Sequence, residues 1–453
     1  MRPPRTGPSW RRATALDDAR SARHQAEHRG AVYGRAVEDL EHTAIRFAQK
    51  TLKRAIVLSA VTPFVVAGGV VALDHWSKRK KSRKAVFPHA KPVSSTVETT
   101  GTTIYTFGED LYAAMLEAIE GATERIFIET YIWKGDEVGR QFKDALIAAS
   151  ERGVEVFVVY DGFANAVVPR SFFRFPEGIH VLEYPLFRPQ VLLMDLKHTG
   201  RDHRKILVVD DEVGFVGGYN IGTLYATQWR DTHLRVTGTA VWELSSAFID
   251  FWNLNRRRHH PSIDSPGTIT WVPGFQAARN APARRVYPIR NLYLEAFRRA
   301  TSHIYLTQAY FIPDRELLEV LVAAARRGVD VRLIVPEASN HVLTDWLSRG
   351  LYSQMLRAGV TIWLYRNAMV HAKTATVDGR WTTIGTANID RLSLTGNYEI
   401  NMAIYDEGIA AQMEDIFTLD LTNCRELHLD EWEARSPVAK IGELLLTPLS
   451  PLL

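Results

Sequence analysis

The sequence predicts an α/β protein: two tandem α/β sandwich repeats related by a pseudo-twofold, each a mixed, largely parallel sheet flanked by helices, preceded by one N-terminal membrane helix. Three observations carry this. From about residue 102 onward, helix-period segments alternate with short apolar runs of strand length. The order of those segments returns later in the chain, and Arg152-Gly-Val-Glu-Val156 is echoed by Arg327-Gly-Val-Asp-Val331. Residues 55–73 form a run without a single charge.

The elements follow in order. Residues 1–54 hold twelve Lys and Arg and read as a basic tail. At about 1.5 Å per residue, the run 55–73 spans roughly 28 Å, close to the thickness of a bilayer core. It lacks the polar stripe of a core helix, so a membrane-embedded helix is expected over 55–74. Pro63 and Gly68-Gly69 leave a re-entrant segment open. Six basic residues follow within 78–84, against four (Arg46, Lys50, Lys53, Arg54) just before the run. That imbalance puts the C-terminal portion on the cytoplasmic side of a cell membrane and favours anionic lipid head groups. Residues 75–101 read as a basic segment and linker. In the first unit, expected over 102–260, Asp110–Ala122 and Gly139–Arg152 look helical, and Arg125–Ile132 and Val154–Tyr160 look like strands. After a linker over 261–288, the second unit runs 289–453. There Leu292–Ala300 and Glu316–Arg327 look helical, with strands at His303–Phe311 and Val329–Val335.

Composition sets outer limits. The 453 residues suit two or three domains. With 46% apolar and 23% charged residues, wholesale disorder and a polytopic membrane protein are both excluded. Cys424 is the sole cysteine, so no disulfide framework or multi-cysteine metal cluster forms within the chain. A net charge of +4 is too small to argue for nucleic acid.

The repeat carries a polar constellation. The first copy has His203, Lys205, Asp210, Gly217-Gly218, Asn220 and Asp231. The second has His371, Lys373, Asp378, Gly385-Thr386, Asn388 and Glu399. The offsets from each His agree throughout. One His-x-Lys would carry no weight, whereas two matching polar patterns in repeated units point to function. On a strand, i and i+2 share a face, so each His projects with its Lys. Association of the halves would bring both pairs to one phosphate site. There the ammonium groups stabilise the non-bridging oxygens without help from a metal. One neutral imidazole attacks phosphorus and the other protonates the leaving oxygen. Asp231 and Glu399 are the candidates to hold the imidazoles, and Asn220 and Asn388 are candidate donors to phosphoryl oxygens. Asp210 and Asp378 belong to the candidate catalytic set, although a structural role at a turn is at least as well supported. His259-His260, in an Arg-rich stretch, reads as solvated.

The motif His-x-Lys-x4-Asp-x6-Gly-Gly, present twice, resembles the phospholipase D superfamily. Its flanks are similar to the bacterial cardiolipin synthases: Ile128-Glu-Thr-Tyr-Ile132, Gly217-Gly-Tyr-Asn-Ile-Gly222, Trp229-Arg-Asp-Thr-His-Leu-Arg235, Tyr310-Phe-Ile-Pro-Asp314, Asn388-Ile-Asp-Arg391, Asn397-Tyr-Glu399 and Leu449-Ser-Pro-Leu-Leu453. The likeness covers roughly 100–453. It implies two phospholipase D-like units that move a phosphatidyl group from one phosphatidylglycerol to another and release glycerol through a phosphohistidine. It casts His203 as nucleophile and His371 as general acid, with the near symmetry leaving the reverse open. It implies phosphatidylglycerol and anionic membrane lipids as partners, no nucleic acid and no cofactor. Two departures, Thr386 where Ser is usual and Pro273-Gly-Phe-Gln276 between the halves, are expected to bear on acceptor recognition. Such synthases often have two N-terminal membrane helices, and one is visible here. Tyr184–Met194 and Val438–Leu453 are apolar enough to meet a membrane surface, and the first suits an ordinary strand and turn equally well. A phospholipase D hydrolase, a transferase with another acceptor alcohol, a nuclease and an inactive lipid-binding protein are the competing readings.

Overall fold

The computed structural model describes residues 85–185, 200–264 and 272–446. The expected membrane run, most of the apolar 184–194 stretch and the last seven residues lie outside them. Among the described residues, no helix is long and apolar enough to cross a membrane.

The first half contains β1 (Val93–Val97), β2 (Thr100–Tyr105), β3 (Arg125–Thr130), β4 (Glu155–Asp161), β5 (Ile179–Tyr184), β6 (Ile206–Val209), β7 (Val213–Gly217), the short β8 (Trp229–Arg230) and β9 (His233–Thr237). The second contains β10 (Phe275–Asn280), β11 (His303–Gln308), β12 (Asp330–Pro336), β13 (Thr361–Tyr365), the short β14 (Met369–Val370), β15 (Lys373–Val377), β16 (Trp381–Gly385), β17 (Glu399–Tyr405) and β18 (Cys424–Leu427). The sheet orders are β1-β2-β9-β7-β6-β3-β4-β5 and β10-β17-β16-β15-β11-β12-β13-β18. Apart from β1 and β18, the seven-strand orders are the same, which establishes the duplication.

Both sheets are mixed, but parallel pairing is confined to β3-β4-β5 and β11-β12-β13. Those strands are joined by crossover helices such as Glu137–Glu151 and Arg315–Arg326, which parallel pairing requires. The strands after each His-x-Lys return through tight hairpins, β6-β7 and β15-β16, and pair antiparallel. β10 falls inside the stretch expected to be a linker. It pairs along its whole length with β17, so the second unit begins by Phe275.

The apolar runs are explained by burial on both faces. In β3, Ile126 and Ile128 pack under the helices Gly108–Glu120 and Glu137–Glu151, while Phe127 turns the other way. In β4, Val156 and Val158 follow the first pair, and Phe157 and Val159 follow Phe127. The inward-turning set joins Val216, Leu234 and Val236 to Ile384, Ile400, Met402 and Ile404 of the second half in one core. His260 is part of this packing, stacked on Trp252 with ring centroids 5.1 Å apart. It is 7% exposed, which corrects the reading of His259-His260 as a solvated pair.

Candidate active site

Each motif is set in place by the opposite half. β8 and β14 pair in parallel, Trp229 with Met369 and Arg230 with Val370. The N–H of His371 then donates to the Arg230 carbonyl at 2.7 Å. By the same logic the N–H of His203 donates to the Tyr398 carbonyl at 3.0 Å, beside the Asp202–Tyr398 bridge. The chain direction after those contacts brings the carboxylates across. His371 Nδ1 lies 2.6 Å from Asp231 Oδ2, and His203 Nδ1 lies 3.0 Å from both Glu399 oxygens. The sequence named both carboxylates. It held no signal for the exchange of partners between halves.

With Nδ1 directed at a carboxylate, Nε2 of each ring is free for chemistry. Both histidines line one cavity of about 230 Å³, with Asn220, Asn388, Tyr131, Trp229 and Tyr310 around them. Tyr131 meets the His203 ring edge-on at 4.6 Å, and Trp229 lies 4.8 Å from the His371 ring. Asn220 Oδ1 accepts the Ile132 N–H at 3.2 Å. Asn388 lines the same cavity, and its Oδ1 is buried without a hydrogen-bond partner.

Lys205 and Lys373 lie behind the rings. Lys205 Nζ donates to the His203 carbonyl at 2.7 Å, and Lys373 Nζ lies 2.9 Å from His371 Nδ1 and donates to the His371 carbonyl. Burial pushes Lys205 down to about 7, with Lys373 adding to the effect and Glu399 opposing it. Burial likewise lowers Lys373 to about 8. Burial, then Lys373, hold His371 at about 3, and burial with both lysines holds His203 well below its usual value. The carboxylates differ. Burial raises Glu399 to about 8 despite Lys205 and the Thr386 hydroxyl. Burial pushes Asp231 the same way, but Lys373 and His371 outweigh it and hold it below the carboxylate range.

The Gly pairs have local reasons. A Cβ at Gly218 would fall 2.1 Å from Asp231 Oδ1, so only glycine admits that carboxylate. The matching residue is Thr386, whose hydroxyl donates to Glu399 Oε2 at 2.5 Å. The departure from Gly-Ser therefore keeps a hydroxyl on the carboxylate.

Asp210 and Asp378 lie apart from this cluster, at the far ends of β6 and β15, and the structure corrects their place in the candidate catalytic set. Both take positive φ, 53° and 54°, in the hairpin turns. The Asp210 carboxylate accepts the N–H groups of Thr123, Glu124 and Arg125 at 2.8–2.9 Å. Asp378 does the same for Thr301, Ser302 and His303 at 2.8–3.0 Å. They tie each hairpin to the start of the neighbouring strand in the sheet, β3 or β11, which explains why the +7 carboxylate recurs.

Sequence reasoning passed over Arg204, between His203 and Lys205. Its guanidinium is buried against Glu129, Asp202 and the Ala247 carbonyl, over the Phe251 ring at 4.5 Å. Asp161 accepts the Asp202 N–H at 3.1 Å. This network fixes the backbone that carries His203. It stands in the charged run Arg201–Lys205 just before β6, where sequence alone does not separate a buried guanidinium from a solvated one.

Comparison with known proteins agrees with the geometry. The family model described as "Cardiolipin synthase, PLD-like domain" matches residues 115–252 and 293–421, more than half of the chain. The chain is 34% identical over 370 residues to the major cardiolipin synthase ClsA of Bacillus subtilis, covering 77% of this chain and 75% of that one. It is 35% identical over 367 residues to a cardiolipin synthase of Staphylococcus aureus, covering 77% and 73%. Among solved structures, phosphatidylserine synthase of Haemophilus influenzae superposes with a TM-score of 0.62 at 15% identity, over 80% of this chain and 95% of that one, a likeness of fold. With its duplicated sheets, its crossed His–carboxylate pairs and these relatives, the chain belongs to the cardiolipin synthase family of phospholipase D-like phosphatidyltransferases.

Proposed function

We propose that this enzyme makes cardiolipin by moving a phosphatidyl group from one phosphatidylglycerol to the glycerol of another, releasing free glycerol. The observation that carries the reading is the crossed pairing of His203 with Glu399 and His371 with Asp231 on one cavity. Two histidines facing one phosphodiester divide the chemistry between them. One attacks phosphorus through Nε2 and becomes a phosphohistidine, as the oxygen–phosphorus bond to the leaving glycerol breaks. The other protonates that oxygen and then takes the proton of the incoming hydroxyl. Lys205, Lys373, Asn220 and Asn388 stabilise the phosphoryl oxygens.

The second copy of the motif completes the site, so either half alone is inactive. The enzyme acts at the cell membrane, with its two units on the cytoplasmic side. The charge-free run 55–73, the basic residues 78–84 and the lipid substrate support that placement. The C-terminal helix Pro437–Leu446 adds to it, with Ile441 and Leu444 exposed. Product analysis on phosphatidylglycerol vesicles tests the reading.

A further inference from the structure

The two halves contribute matching positions to the cavity with different chemistry. At the spacing that relates His203 to His371, Gly222 matches Asp390, Tyr225 matches Ser393 and Trp229 matches Asn397. Asp390 is 8% exposed and lines the cavity together with Ser393 and Asn397. Its Oδ1 accepts the Ser393 N–H at 2.7 Å. No backbone N–H donates to its Oδ2, and the residue lines the cavity that an occupant would enter, with the Ser393 side chain also within hydrogen-bonding reach of the carboxylate. Asn397 Oδ1 accepts the Arg201 N–H at 2.9 Å, which leaves its amide N–H groups as donors beside Asp390.

Capping of the short helix Arg391–Thr395 does not account for a carboxylate here. In the first half the matching helix begins after Gly222, and Asp136 takes the Thr223 N–H at 2.8 Å. In the second half the equivalent Asp314 is engaged by Arg290 and by its own helix. Residue 390 must therefore cap, but Ser or Asn would do so equally well. Either would avoid a second buried carboxylate near Glu399. Burial, with Glu399 adding to it, pushes the Asp390 carboxyl up to about 7.

Resting on the function proposed above, we infer that Asp390 selects the acceptor, its Oδ2 accepting a hydrogen bond from the hydroxyl adjacent to the one that reacts. The cavity then favours vicinal polyols, such as the glycerol head of phosphatidylglycerol, over simple alcohols. A site that pairs a particular hydroxyl rejects analogues lacking it, because its own polar group is left unpaired.

The test uses the full chain on phosphatidylglycerol vesicles with 1-propanol, 1,2-propanediol, glycerol and ethanolamine in competition. Phosphatidyl products are read by mass spectrometry. Wild type prefers the diol and glycerol to 1-propanol. Asp390→Asn keeps the cap and lowers the diol-to-propanol ratio by about tenfold or more. Asp390→Ser, which also caps, moves the ratio the same way. An unchanged ratio in both variants overturns the inference, as does a wild type that prefers ethanolamine, which would make Asp390 an ammonium site. A wild type that makes phosphatidyl-diol but no cardiolipin, with the ratio lost in Asp390→Asn, counts against the proposed function and supports the role of Asp390.

Discussion

His371 Nδ1 and Asp231 Oδ2 lie 2.6 Å apart although 140 residues separate them in the chain. The contact joins the His-x-Lys motif of one half to a carboxylate of the other. Asp231→Asn keeps the shape but removes the charge that holds the Nδ1–H tautomer. We expect kcat to fall on the order of 10³-fold, with Tm little changed. Activity within twofold of wild type would mean that Asp231 only fills space.

A second cross-half contact is purely structural. Arg230 donates to Asp420 through Nε at 2.9 Å and Nη2 at 2.7 Å, both residues fully enclosed. Asp420→Ala leaves a buried guanidinium unpaired and should cost about 3–5 kcal/mol, read in denaturant unfolding. A loss below 1 kcal/mol would show that Arg230 finds another partner or water.

Asp210 separates structure from chemistry. Asp210→Ala removes the acceptor of three backbone N–H groups and should cost about 1–3 kcal/mol while kcat holds. Those bonds hold the Asp210 carboxyl below its usual range despite burial, so its contribution is present at neutral pH. It is lost as pH falls through the folded-state value. A large loss of kcat at unchanged Tm would return Asp210 to the active site.

The lysines set a pH dependence. Lys205, at about 7, and Lys373, at about 8, carry charge below those values and lose it as pH rises. Glu399, at about 8, gains negative charge over the same range. Both changes disfavour an anionic diester. KM for phosphatidylglycerol at fixed ionic strength should therefore rise between about pH 6.5 and 9. A KM that falls over that range contradicts this account of phosphate binding.

Much of this was legible in the sequence because duplication prints the same positions twice. The strands β3, β4, β11 and β12, the helices beside them and the His, Lys, Asn and carboxylate set follow from periodicity and spacing. What stayed hidden depends on contacts between halves. Nothing local says that Glu399 serves His203, because the exchange is set by the pairing of β8 with β14 and of Asp202 with Tyr398. The antiparallel share of the sheets was hidden for a related reason: the hairpins closed at Asp210-Asp211 and Asp378-Gly379 show only in the pairing of β6 with β7 and of β15 with β16. Arg204 fills the open position of the first His-x-Lys and Asp390 lies in Asn388-Ile-Asp-Arg391, yet their roles rest on burial and on asymmetry between matched positions.

The most direct measurement is product analysis of purified enzyme on phosphatidylglycerol vesicles, beside a His371→Ala control of matched stability. The account predicts cardiolipin and glycerol in equal amounts from the wild type and neither from the variant. Phosphatidic acid without cardiolipin from the wild type, or cardiolipin from His371→Ala, would contradict it.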